Sequence, residues 1–152
     1  MNKTLIIIRH AHRSKEPGRE IDNGLSEKGQ LQSLRVYKYF QEQFSDADPV
    51  IASSPKKRCI ETMLPFVNKD QSKIKTLTCL DEGDPLELKI DQFIQWWNDV
   101  RSELTIICSH GDWIPLCIEH LINERIKLKK GGYARFQSNS EKIKLVEIIQ
   151  KF

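Results

Sequence analysis

Four short apolar runs alternate with helical patterns along the chain, and this alternation restricts the fold more than any other feature. The runs cover residues 5–8, 49–53, 74–80 and 104–108. After each run, apolar residues recur every three or four positions, as they do on one face of an amphipathic helix. Repeated strand–helix units predict an α/β fold with a mostly parallel sheet and helices on both faces, a three-layer α/β/α arrangement.

The end of the chain departs from this alternation. Residues 133–137 and 143–149 have the composition of two strands, and a polar turn separates them. No repeat, linker or low-complexity tract divides the 152 residues. The sequence therefore predicts a single domain over residues 1–152, long enough to bury a core without disulfides.

The helix patterns also predict local features. Two helices are predicted to start at Ser54-Pro55 and Asp84-Pro85, where a capping side chain precedes a proline. The first helix has an apolar stripe made of Leu31, Leu34, Tyr37, Phe40 and Phe44.

Composition excludes several classes of protein. The 24 basic and 21 acidic side chains are mixed along the chain and give a net charge of +3, which argues against a nucleic-acid-coating protein. The apolar run near the N-terminus is too short for a secretory signal or a membrane span. The four cysteines have no CxxC spacing and are expected to be buried and reduced, as in a cytoplasmic protein.

Each predicted strand is followed by polar or charged groups that suit phosphate chemistry. Arg9 and His10 follow the first strand, SSPKKR includes the end of the second, DEGD follows the third, and SHGD follows the fourth. Parallel sheets bind ligands beyond the carboxyl ends of their strands. The convergence of these groups therefore predicts an anion site at this edge of the sheet.

His10 and Arg58 are central to that prediction. His10 follows a buried strand, and His110 has the matching position after the fourth strand. Arg58 lies one turn into a predicted helix, and helical side chains lean toward the N-terminus, so it can reach an anion bound at the helix start. Alone, each residue is also compatible with a structural histidine or an exposed arginine.

Other phosphate chemistries fit the sequence less well. It has no Gly-rich loop ending in GKS or GKT, so P-loop nucleotide binding is unsupported. A metal bound by His10, His12 and Asp112 is an alternative, which the neighbouring arginines oppose.

The motifs resemble those of the histidine phosphatase superfamily, whose fold is shared with the cofactor-dependent phosphoglycerate mutases. The segments that carry the resemblance are RHA at 9–11, LSEKGQLQ at 25–32, SSPKKRCIET at 53–62, LDEGDP at 80–85, SHGDW at 109–113 and GGYARF at 131–136. RHA replaces the RHG of most members, and the chain is short. In both respects it is most similar to SixA-type phosphohistidine phosphatases.

The resemblance implies a phosphoglycerate mutase-like fold and a covalent mechanism. His10 would be the nucleophile and become transiently phosphorylated, while Arg9 and Arg58 would hold the phosphoryl oxygens with His110 as a further donor. These cationic groups can replace a magnesium ion, so no metal and no cofactor are implied.

The resemblance also implies a general acid and a substrate class. Glu82 matches the residue that protonates the leaving group and then activates water, with Asp84 as the other candidate. We expect a phosphatase that acts on phosphohistidine in proteins. The alternatives are a phosphatase for small phosphate esters, a mutase, or a module that binds phosphorylated partners without catalysis.

Overall fold

A six-stranded sheet forms the centre of the computed structural model, which describes residues 2–152. The strands are β1 (Lys3–Arg9), β2 (Val50–Ser53), β3 (Lys75–Thr76), β4 (Leu104–Ser109), β5 (Tyr133–Ser138) and β6 (Ile143–Ile149). The α-helices are α1 (Glu27–Gln43), α2 (Lys57–Met63), α3 (Leu86–Asp99) and α4 (Trp113–Ile122).

The sheet is mostly parallel, as predicted. Its strand order is β3-β2-β4-β1-β5-β6. The pairs β1/β4, β2/β4 and β2/β3 are parallel, whereas β5 runs antiparallel to β1 and pairs with β6 in the predicted hairpin. The parallel register directs the ends of β1, β2 and β4 to the same edge.

Helices cover both faces of the sheet, which confirms the α/β/α layers. Leu5 and Ile7 of β1 pack into a core with α3 and α4, whereas Ile6 and Ile8 pack into a second core with α1 and α2. All four are fully buried. A fully buried aliphatic side chain contributes about 1.5–3 kcal/mol, so β1 is well suited to hold the residues that follow it.

The predicted third strand is wrong over most of its length. Only Lys75 and Thr76 form β3, and residues 78–80 turn into a 3-10 helix. The apolar side chains of Cys79 and Leu80 pack in the core. Their carbonyl oxygens accept hydrogen bonds from side chains and not from the backbone of a neighbouring strand. This turn directs the following residues towards the ends of β2 and β4.

The predicted apolar stripe of α1 is also partly wrong. Leu31 and Leu34 are 54% and 53% exposed. The buried face instead includes Gly29, Ser33 and Val36, together with Phe40. Ser33 satisfies its hydroxyl by donating to the carbonyl oxygen of Thr62 at 2.7 Å, which lets a polar residue face α2.

Neither predicted proline cap is formed. α2 begins at Lys57 and α3 begins at Leu86, and no side chain caps either helix. The Ser54 hydroxyl instead lies 2.8 Å from Nε2 of His110.

The state of the cysteines agrees with the prediction from the sequence. The four cysteines are buried and free, as predicted. Of the helices within residues 2–152, none is long and apolar enough to cross a membrane.

Candidate active site

The residues predicted to form the site gather where β1, β2 and β4 end. The register of β1 and β4 brings His10 and His110 together, with ring centroids 5.4 Å apart. A cavity of about 490 Å³ opens at this edge. Its lining includes all five predicted residues, namely Arg9, His10, Arg58, Glu82 and His110.

The imidazole of His10 is held in one tautomer. Its Nδ1 lies 2.9 Å from the carbonyl oxygen of Ala11, so Nδ1 carries the proton and donates it. Arg58 Nε donates to His10 Nε2 at 3.4 Å. Burial lowers the pKa of His10 to about 3; the hydrogen bond to Ala11 opposes this shift, and nearby positive charges add to it. The ring is therefore neutral at pH 7, with Nε2 unprotonated.

Arg58 and Glu82 form an ion pair across the cavity. Arg58 Nη2 lies 2.7 Å from a Glu82 carboxylate oxygen, and Arg58 is only 3% exposed. Burial favours a raised pKa for Glu82, but the bond from Arg58 and the neighbouring positive charges lower it below the ordinary carboxylate value. The Glu82 carboxylate is therefore ionised when the cavity holds no anion.

The ring of His110 is held through both of its nitrogen atoms, by Arg58 and by Ser54. Arg58 Nη2 lies 3.3 Å from His110 Nδ1, and Ser54 Oγ lies 2.8 Å from Nε2. Ser54 in turn donates to Asp81 at 3.4 Å. Ser54 was predicted only as a helix cap and Asp81 was given no role, although both lie in the strand-end segments SSPKKR and DEGD.

Arg9 is held against two backbone segments. Its Nη1 donates to the carbonyl oxygen of Leu128 at 2.9 Å. On the other side lies Gly111, where an added Cβ would be 2.8 Å from both Cζ and Nη2 of Arg9. Glycine at this position therefore leaves the space that the guanidinium occupies.

We expect Gly111→Ala to displace the guanidinium of Arg9 and to lower kcat/KM for a phosphorylated substrate by about 100-fold, the scale of a 1 Å misplacement in an active site. Steady-state kinetics measure the effect, and thermal unfolding verifies the fold. The matched control is Gly18→Ala, where the added methyl group meets only the flexible end of Glu20. Unchanged kinetics in Gly111→Ala would contradict the packing argument.

Of the other candidate residues, some line the cavity and some do not. Asp84 does not line the cavity, whereas Asp112 does, and its carboxylate accepts a hydrogen bond from the amide of Gly83 at 2.9 Å. The three side chains considered for a metal do not lie together, because His12 lines a neighbouring groove. Within residues 2–152, no group of three or more His, Cys, Asp and Glu side chains is arranged to hold a metal ion.

Basic side chains surround the cavity mouth. We call them the basic rim, which consists of Arg13, Lys15, Arg19, Lys127 and Lys130. Of these residues, only Arg13, which stands four positions after the end of β1, is placed near the predicted anion site by the sequence. Lys127 and Lys130 lie in the loop between α4 and β5, which follows a helix, so a search of the strand ends does not find them.

Comparison with known proteins gives one family match. The model of the histidine phosphatase superfamily (branch 1) matches residues 5–95. No curated protein sequence matches the chain.

Several solved structures are similar over nearly the whole chain. The protein histidine phosphatase SixA in complex with tungstate is 14% identical, with 97% of this chain and 96% of that chain covered and a TM-score of 0.79. Phosphoserine phosphatase from Entamoeba histolytica in complex with 3-phosphoglyceric acid is 17% identical, with 96% of each chain covered and a TM-score of 0.71. A mycobacterial glucosyl-3-phosphoglycerate phosphatase is 13% identical, with 100% of each chain covered and a TM-score of 0.75. At these identities the likeness is one of fold, and it confirms the predicted fold.

Proposed function

Because the chain belongs to the histidine phosphatase superfamily, we propose that it transfers a phosphoryl group first to His10 and then to water, and that its substrate is phosphohistidine in a protein. The family supports the broader class, a hydrolase of phosphate esters. The observation that carries the covalent route is the neutral His10 ring, whose Nδ1 is bonded to Ala11 and whose Nε2 lies beside Arg58 in the cavity.

In the first step, Nε2 of His10 attacks the phosphorus atom in line with the leaving group. A P–N bond to His10 forms, the bond to the leaving group breaks, and Glu82 gives the leaving atom a proton. Arg9 and Arg58 hold the phosphoryl oxygens with their charged guanidinium groups, and His110 is a further hydrogen-bond donor that stabilises the transferring group. The charge of the two arginines is already in place around the cavity, so the mechanism that we propose uses no metal ion and no cofactor.

Glu82 must carry a proton before it can act as an acid. In the open cavity the ion pair with Arg58 keeps it ionised. A bound phosphate dianion competes for Arg58 and adds a second negative charge, and both effects raise the pKa of the carboxyl group. Binding of the substrate therefore prepares Glu82 for its role.

In the second step, water attacks the phosphorus atom of phosphorylated His10. The Glu82 carboxylate takes a proton from the water, the P–N bond breaks, and inorganic phosphate leaves with the neutral imidazole restored. The Ala11 carbonyl holds Nδ1–H through both steps, so the ring keeps its orientation.

Two features favour a protein substrate. The basic rim offers a charged surface around the cavity mouth, and the fold is like that of SixA, which is a protein histidine phosphatase. The second candidate is a small phosphate ester, because the fold is equally like those of phosphoserine and glucosyl-3-phosphoglycerate phosphatases.

We also propose that residues 1–152 form a single domain. The matched segment ends at residue 95, but β4 lies between β2 and β1, and β5 pairs with β1 on its other side. The C-terminal part of the chain therefore completes the sheet that the N-terminal part begins.

A substrate panel tests the proposed function. Turnover of a phosphohistidine peptide, phosphoserine, 3-phosphoglycerate and a sugar phosphate is compared, each with and without EDTA. We expect the highest kcat/KM for the phosphohistidine peptide and no loss with EDTA. Efficient turnover of one small ester without turnover of the peptide would favour the second candidate. Loss of activity with EDTA that zinc or magnesium restores would contradict the metal-free mechanism.

A further inference from the structure

A second concave surface adjoins the candidate active site. We call it the basic groove, a cavity of about 560 Å³ that shares Arg9 and Lys130 with the catalytic cavity. Its other basic side chains are Lys28, Arg35, Lys129 and Lys151, and no aspartate or glutamate lines it. The two cavities therefore form one continuous positive surface with His10 at one end.

Positive charge is concentrated on this surface. The two cavities together are lined by eleven of the 24 lysines and arginines but by only two of the 21 acidic residues. The chain as a whole has a net charge of only +3. The remaining surface is therefore acidic overall, and the charge around the catalytic cavity is a local feature and not a consequence of composition.

In the part of the chain that the structure describes, the basic side chains of the groove are not paired with acidic side chains. Among the described residues 2–152, no ion pair involves Lys28, Arg35, Lys129, Lys130 or Lys151. Burial and the nearby positive charges, Arg9 foremost among them, lower the pKa of Lys130. Such uncompensated repulsion disfavours the folded state and is relieved when an anionic partner binds.

The basic side chains stand on a well-anchored backbone. Leu128 is buried in the core, and its carbonyl oxygen accepts the hydrogen bond from Arg9. Three residues further on, the amide of Gly131 lies 3.1 Å from the carbonyl oxygen of Arg9 and 3.2 Å from that of His10. The segment that carries the lysines is thus fixed directly to the strand end that carries the catalytic histidine.

On this basis we propose that the basic groove docks an acidic surface of the phosphorylated protein, next to the phosphohistidine that reaches His10. The inference rests on the proposed function and adds a recognition surface to it. A small polyphosphate needs several donors that converge and are held by hydrogen bonds. The side chains of Lys28, Arg35, Lys129 and Lys151 are instead exposed and spread along the groove, which suits the broader charge of a protein surface.

Two phosphohistidine peptides of equal length test the proposal. One has aspartate and glutamate beside the phosphohistidine and the other has serine and glutamine. For the natural chain we expect kcat/KM for the acidic peptide to exceed that for the neutral peptide by about tenfold or more at low salt, and the ratio to approach one at high salt because exposed charges are screened.

A variant with three charge reversals tests whether the basic groove causes the preference for the acidic peptide. Lys28→Glu, Arg35→Glu and Lys129→Glu together should reduce the ratio to about one or below. The matched control is Lys142→Glu with Lys144→Glu, because these lysines line a cavity that contains Lys3 and Thr4 at the opposite end of β1. The control should keep the ratio of the natural chain.

The outcomes distinguish the docking surface from the proposed function. Equal kcat/KM for the two peptides, or an unchanged ratio in the triple variant, would overturn the docking surface but leave the phosphatase reaction intact. If neither peptide is hydrolysed, the proposed substrate is wrong, and fluorescence anisotropy with the labelled, unphosphorylated acidic peptide still tests the groove. A different outcome is that the triple variant loses turnover of a small bisphosphate and keeps the preference for the acidic peptide. That result would overturn the protein partner and show that the groove binds a small polyanion.

Discussion

Replacing His10 with alanine is expected to lower kcat by roughly 10³-fold or more, because the variant has no route through the covalent intermediate. The neutral ring places an unprotonated Nε2 beside Arg58, and no other histidine ring nitrogen in the cavity is equally free. His110 is already engaged through both ring nitrogens, by Ser54 and by Arg58.

The measurement is a single-turnover experiment with quenching, in which acid-labile, base-stable phosphate on the protein is followed together with product release. His10→Ala should form no phosphoenzyme, while circular dichroism shows an unchanged fold. The matched control is His120→Ala. His120 lies on α4 with Nε2 2.8 Å from Glu87, outside the cavity, so its loss should leave turnover within about twofold. A phosphoenzyme in His10→Ala would show that another residue is the nucleophile.

The sheet could be predicted because its signals are local. The residues of β1 and β4 are apolar without alternation, since both faces are covered, and the polar turn between β5 and β6 separates two strands clearly. The prediction of a strand over residues 74–80 was wrong, although it was based on the same signal, a run of apolar residues, as the correct predictions. The apolar residues of this segment report burial, and burial alone does not distinguish an edge strand from a 3-10 helix that packs into the core.

The site residues that directly follow strands could be predicted from the sequence. Those whose position depends on the path of a loop could be predicted less well. Arg9, His10 and His110 are carried to the cavity by the register of β1 and β4. The choice between Glu82 and Asp84 depends on the path of a loop, which the sequence left open. In the structure Glu82 lines the cavity, and Gly83 between them has a φ of 85°.

Apart from Arg9, which ends β1, and His12, which follows it, the residues of the basic groove could not be grouped from the sequence. The others come from α1, from the loop after α4 and from the C-terminal end of the chain, which are far apart in sequence. The pairing of β5 with β1 and the anchoring of residues 128–131 help to bring them together. A nearly balanced total charge therefore conceals a strongly positive surface.

Glu82→Gln is expected to distinguish the leaving group that the site is built to accept. An alkoxide is a poor leaving group, so hydrolysis of a sugar phosphate depends on a positioned acid, and kcat/KM should fall by about 10²-fold or more. The imidazole of phosphohistidine leaves more easily once protonated, and water at an open cavity can supply that proton. Its kcat/KM should fall by about tenfold or less.

The comparison is clean because glutamine keeps the size of the side chain and an oxygen that can accept the bond from Arg58. Initial-rate kcat/KM reflects only the steps through release of the first product, so the later role of Glu82 in activating water does not enter. Two control variants show whether the effect is specific to Glu82. Arg58→Ala should reduce both substrates alike, since it acts on the phosphoryl group that they share. Asp84→Asn, outside the cavity, should change neither by more than about twofold. Equal losses on both substrates in Glu82→Gln would mean that Glu82 does not protonate the leaving group.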